Sequence, residues 1–223
     1  MDFFDIFLNW DIMIQAGPLL LQGLLQTVLL GFTSIVVGSI FGLIIVLVRL
    51  YGAWPLKLIA IAYIDLFRAF PLLVFLTLVY YALPYIGITL PPFWASVVAL
   101  SIIGAAYIAE VFRAGIEAVA KGQFEAAHAL GFSWIRMMTD VILPQAFKVV
   151  IPPATGVGVN LIKDTALASV VSMPELLKQA TSAQSFYANP SPLVAAALLY
   201  LVVLLPLVRL VSALEARQTR MRH

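Results

Sequence analysis

The chain contains no cysteine, which excludes disulfides and thiolate metal sites while leaving the compartment open. Histidine is nearly as scarce. His128 and His223 are the only two, and no His/carboxylate cluster has ligand spacing, so no metal centre is expected. No Gly-Lys-Ser/Thr phosphate-binding loop occurs, so the chain itself is expected to be no ATPase. Charge is sparse too: 11% of the 223 residues are charged, against about 25% in a soluble domain. Thirteen basic and eleven acidic residues nearly balance, which removes nucleic acid as an expected partner. The first residues carry Asp2, Asp5 and Asp11 and no basic residue before the first apolar run. They do not read as a signal peptide.

What is abundant is apolar. Hydrophobic residues make up 63% of the chain, and its mean hydropathy is +1.04. Apolar blocks cover residues 18–48, 58–84, 93–115, 146–173 and 193–214. A span needs about 20 such residues, so an all-α integral membrane protein with five transmembrane helices is expected. Residues 1–223 then form a single membrane domain with no room for a soluble one. Gly31, Gly38 and Gly42 in the first block predict close helix packing. Pro71 should kink the second block. Pro152, Pro153, Gly156 and Gly158 predict an interrupted helix in the fourth, and residues 174–183 a short helix before the fifth.

One polar stretch between these blocks looks structured: residues 121–145, KGQFEAAHALGFSWIRMMTDVILPQ. Gln123 to Leu130 are good helix formers, Gly131 supplies a stop, and Pro144 can open the next helix. Phe124, Ala127, Leu130 and Trp134 recur at helical spacing, which predicts a short amphipathic helix and then a bend. An interfacial helix lying on lipid would show the same pattern.

Charges inside apolar blocks are costly and are paired or functional. Asp65 and Arg68 lie three apart, as do Glu110 and Arg113, so each can pair locally. For Glu110 and Arg113 the plainer reading is an anchor near the membrane surface. Tyr107 shares their polar stripe. In the fourth block Gly156, Asn160, Lys163, Asp164 and Leu167 share a helical face. An α-amino acid needs a cation for its carboxylate and an anion or carbonyls for its ammonium. Lys163 and Asp164 offer both, and equally a mutually neutralising pair that closes a gate.

Glu125-Ala126-Ala127, Gly131 and Val141-Ile142-Leu143-Pro144, at their spacing, resemble the EAA loop of ABC-importer permeases, with Val141 where Ile is usual. Residues 161–167, LIKDTAL, are similar to the Leu-Leu-Lys-Asp-Thr-Ser-Leu of polar amino-acid permeases, departing at Ala166. Arg68-Ala-Phe-Pro71 resembles that family's Arg-Gly-Thr-Pro, with bulkier Phe70. The resemblance implies a type I ABC importer permease fold, with a cytoplasmic coupling loop at about residues 117–145. It implies Glu125, Ala126, Ala127, Gly131 and Pro144 as the elements that engage an ATPase, and Asn160, Lys163, Asp164, Arg68 and Glu110 as pathway candidates. The implied function is the transmembrane subunit of an ATP-driven importer of a polar amino acid.

The implied partners are a second permease subunit, identical or homologous, two ATPase subunits that bind ATP and Mg, and an extracytoplasmic binding protein. The chain itself is expected to carry no cofactor. Basic residues set the orientation independently. Arg49, Lys57, Lys121, Arg136, Arg209, Arg217, Arg220 and Arg222 fall in alternate connectors or the C-terminus, and the opposite set holds only Lys178. The N-terminus is expected outside and the C-terminus in the cytoplasm of a bacterial inner membrane. Two other classes remain: an ion-coupled secondary transporter, which would call for inverted repeats, and a non-transporting membrane anchor.

Overall fold

The computed structural model describes residues 6–220, with side chains described to residue 216. Asp2, Asp5, Arg222 and His223 lie outside the described residues, as do the side chains of Arg217 and Arg220. The described residues form helices and turns without strands.

Helix α1, Trp10–Tyr51, starts where the Asn9 side chain accepts the Ile12 N–H at 3.1 Å. Its 42 residues extend beyond both ends of the first apolar block. At 1.5 Å per residue it is about 63 Å long, about twice the hydrocarbon thickness. Its buried glycines let other backbones approach, as their spacing predicts. A Cβ on Gly42 would stand 2.9 Å from the Ala105 carbonyl oxygen, and one on Gly38 would stand 3.2 Å from that of Ser101.

The second apolar block is broken rather than kinked. Helix α2, Trp54–Ala69, and helix α3, Leu72–Ala82, meet at 104°. Pro71 forces its predecessor out of the α region, and Phe70 and Pro71 are both extended, at ψ 128° and 121°. Phe67 and Phe70 pack edge-on against Phe75 across the bend, with ring centroids 5.1 and 5.8 Å apart. A 3-10 turn, Leu83–Ile86, ends α3 at Gly87, whose φ is +85°.

Helix α4, Pro92–Glu117, is the central element. Its small residues, among them Ala95, Ala99, Gly104, Ala105 and Ala109, let α1, α3 and the later helices pack on it from several sides. Helix α5, Lys121–Ala129, is followed by a single turn, α6, Trp134–Arg136. A π-helical segment, Met137–Ile142, then runs into α7, Leu143–Asp164. Pro144 sits in the first turn of α7 as expected. Its missing N–H leaves the Asp140 carbonyl without an α-helical donor, and the Leu143 N–H instead reaches back to Met138.

The interruption predicted at Pro152 and Pro153 is absent: α7 is continuous through both prolines and both glycines. Two N–H donors, to the Lys148 and Val149 carbonyls, are lost there, and neighbouring groups commonly compensate such losses in membrane helices. The α-helix gives way only at Thr165, where a 3-10 segment, Thr165–Val171, begins. Helix α8, Leu176–Tyr187, is capped by Glu175, whose carboxylate accepts the Leu177 and Lys178 N–H groups. Helix α9, Ser191–Arg220, is the last of the described elements. Among the described residues four spans are long and apolar enough to cross a membrane, and the bent α2–α3 pair makes five when taken as one.

Candidate functional site: a polar pocket and an exposed docking helix

Where α4 and α7 meet, Ile103 and Tyr107 face Val157, Asn160, Leu161 and Asp164 across a pocket of about 280 Å³. Asn160 and Asp164 are one turn apart on α7 and therefore share this face. Asp164 is half-buried and is the pocket's only charged lining residue. Lys163, one position before it, is exposed and does not line the pocket. The structure thus brings together two of the three α7 candidates.

Arg68 and Glu110 lie next to this pocket through Tyr107. The Arg68 guanidinium carbon is 5.8 Å from the centre of the Tyr107 ring, and the Tyr107 hydroxyl donates to the Arg68 carbonyl at 3.3 Å. Asp65 forms no ion pair with Arg68, contrary to the spacing argument; Arg68 turns instead toward Glu110, at 3.9 Å. Glu110 is a hub. It accepts from Arg113, as predicted, and from Arg49 of α1 at 2.8 Å, a residue 61 positions away. Arg113 also reaches Glu117. One carboxylate therefore ties α1, α2 and α4 together. Nothing in the spacing of Arg49 pointed to this, because the contact is made only by packing α1 alongside α4, the two running parallel.

The second candidate site is α5 and its exit. Gly131 has φ +74°, its N–H donates to His128, and the Phe132 N–H donates to Ala127 at 3.1 Å. These two bonds form the Schellman arrangement, which needs a left-handed residue after the helix. Gly131 fills that need without a Cβ penalty. Ala127 is buried, and the half-buried Phe124 packs with Ile116, Val119, Met138, Ile142 and Ala146. Leu130 and Trp134 do not share this buried face: they are 74% and 50% exposed. Trp134 contacts the Tyr51 ring edge-on at 4.7 Å.

Glu125 and Ala126 are exposed, and Glu125 has no ion-pair partner among the described residues. The Gln145 amide donates to the Val141 carbonyl at 2.8 Å and to Gln123 of α5 at 3.2 Å. The helix is thereby fastened to the start of α7.

A family model, binding-protein-dependent transport system inner membrane component, matches residues 34–220. The chain belongs to this family. It is 37% identical over 212 residues to the arginine transport system permease protein ArtQ of Bacillus subtilis, covering 94% of this chain and 97% of that one. It is 36% identical to the probable glutamine ABC transporter permease protein GlnM of the same organism, covering 94% and 98%. A solved amino acid ABC transporter with histidines superposes with a TM-score of 0.87 at 38% identity, over 97% of this chain and 99% of that one. The MetNI methionine ABC transporter shares the fold, with a TM-score of 0.69 at 22% identity, over 91% of this chain and 94% of that one. The permease is thus a multi-pass membrane subunit of the type I importer fold.

Proposed function

We propose that the permease forms half of the membrane pathway of an ATP-driven importer for a polar amino acid. In this reading an extracytoplasmic binding protein delivers the substrate, and a second permease subunit, identical or homologous, completes the pathway. Two ATPase subunits bind ATP and Mg, and the permease itself hydrolyses nothing. The membrane is the bacterial inner membrane, with the N-terminus outside and residues 117–145 and the C-terminus in the cytoplasm.

The observation that carries this reading is the α5 exit. A docking helix must present an outer face while its inner face is anchored, since rigid contacts transmit motion. Glu125, Ala126 and Leu130 are outward, whereas Ala127 is buried and Phe124 and Gln123 tie the helix to α4 and α7. Gly131 ends it, and Pro144 sets the start of the helix that must move. Glu125 is then available for a charge-assisted bond to the ATPase.

The substrate passes the pocket between α4 and α7. Asp164 receives its ammonium group, Asn160 its polar side chain or carboxylate, and Arg68 beside Tyr107 supplies a cation for the carboxylate. Glu110 holds Arg68 in reach, and Lys163, exposed beside the pocket, faces the half contributed by the second subunit.

The test is to reconstitute the complex with Gly131→Val and Glu125→Lys and to measure assembly, ATP hydrolysis and uptake. A β-branched residue at φ +74° costs about 1–2 kcal/mol in backbone strain. Both variants are expected to insert normally but to lose binding-protein-stimulated hydrolysis and uptake. Undiminished stimulation in both would show that this helix does not couple. Uptake by the parent that persists without ATP but needs an ion gradient would favour the secondary transporter.

A further inference from the structure

On the other side of α4 lies a larger groove, of about 520 Å³, between α1, α2 and α4. Phe41, Ile44 and Val48 of α1, Ile59 of α2, and Val98 and Ile102 of α4 are among its walls. At about 100° per residue, Val98 and Ser101 point away from the face that carries Ile103 and Tyr107. The groove is therefore separate from the polar pocket and lies away from the pathway proposed above.

An apolar space of this size in a bilayer does not hold water, which needs polar partners. Left empty, its walls would forfeit dispersion contacts. Leu56 lines the groove, and the next residue is Lys57, an exposed cation with no ion-pair partner among the described residues. Arg49, next to the lining Val48, is already engaged by Glu110. Trp54, 73% exposed, stands in the same first turn of α2 as Lys57, with the amphipathic ring typical of membrane interfaces. The N-cap Ala53 gives that turn no side-chain acceptor.

An occupant must match an apolar trough with a single unpaired cation and an interfacial aromatic at one end. We propose that the groove binds one anionic phospholipid, its acyl chain along α1 and α4 and its phosphate against Lys57. The lipid fills the trough between α1, α2 and α4 and completes the packing that the chain alone leaves open.

The test places the full-length permease, assembled with its partner subunits, in nanodiscs of phosphatidylglycerol and phosphatidylcholine in equal parts. After detergent release, retained lipid is counted by native mass spectrometry. The parent is expected to hold phosphatidylglycerol, with a preference of about fivefold over phosphatidylcholine, because Lys57 meets a net negative headgroup in the first and a zwitterionic, net neutral one in the second. Lys57→Glu should keep a bound lipid and lose the preference. Ile59→Trp and Ala60→Phe, which put bulk into the groove, should each lose the retained lipid. Two filling positions are used so that a folding defect in one leaves the other as the test. Unchanged retention in whichever filled variant elutes as an intact complex overturns the proposal. So does a parent that retains no lipid, or an undiminished preference in Lys57→Glu. Efficient cross-linking of Ile59→Cys between two copies would put a second permease in the groove and overturn it as well.

Discussion

Helices α4 and α9 are both apolar enough to span a bilayer, and α9 is the more apolar. Yet the most apolar 18 residues of α4 are 67% buried inside the protein and those of α9 only 6%. The difference lies in side-chain size. Lipid tails are as apolar as leucine, so hydropathy draws a helix into the membrane without drawing it to another helix. Small residues let backbones approach and gain van der Waals contact. Most buried residues of α4 are alanine, glycine or serine, whereas the middle of α9 reads YLVVLLPLVRL, with Leu201, Val202 and Leu205 exposed.

The comparison breaks most sharply if a large residue enters the α1–α4 seam. Gly42→Leu should be the most damaging single change, because its side chain would meet Ile108 and the Ala105 carbonyl. A loss of about 1–3 kcal/mol is expected for overpacking, measured as a lowered Tm and yield of monodisperse permease. Next comes the charged hub on the same helix. Glu110→Ala leaves Arg49, Arg68 and Arg113 facing one another without their carboxylate, at a cost of about 2 kcal/mol. Glu110→Gln should recover part of it, and equal stability of the alanine variant and the parent would mean that the hub holds nothing.

A smaller effect concerns the other end of the bundle. Glu175 is buried, and burial raises its pKa above the usual glutamate value despite bonds from Leu177, Lys178 and Tyr200 that pull it down. A carboxyl group with a raised folded-state pKa stabilises most when protonated, below the unfolded-state value. That stability is lost as pH rises through the folded value. The parent should therefore gain Tm as pH falls from neutral toward the ordinary glutamate range, and Glu175→Gln should flatten that dependence. A steeper gain in the variant would reverse the assignment. The smallest effect sharpens the contrast with α4: Leu201→Ala on α9 should change stability by less than about 0.5 kcal/mol, in the same thermal assay.

Much of this was legible before any coordinates. The apolar blocks, Gly131 as the helix stop, Pro144 in the first turn of α7 and the close approaches at Gly38 and Gly42 all follow from local chemistry. They depend on backbone preference and side-chain volume, which each residue carries with it. The misread elements share a different cause. Pro71 by itself predicts a kink, and the double proline a break. In the structure the first separates two helices at 104° and the second leaves α7 continuous. Proline removes a donor and disfavours helix before it, but the surroundings decide whether the chain bends there.

The charges divide in the same way. The partners of Glu110 within α4 are set by a spacing of three, and that pair forms. Arg49 arrives from 61 residues away, and Arg68 abandons Asp65 for it. Asn160 and Asp164 share a wall because α7 repeats every 3.6 residues, but that wall becomes a pocket only when α4 sets Ile103 and Tyr107 opposite. The amino-acid order alone determined a membrane-spanning helical protein, its helix stops and the short helix that Gly131 ends, because those rest on transfer from water and on backbone geometry. Which charges meet, how sharply the second span bends at Pro71, and which faces enclose a pocket or a groove were decided only by tertiary packing, which joins residues that no local rule connects.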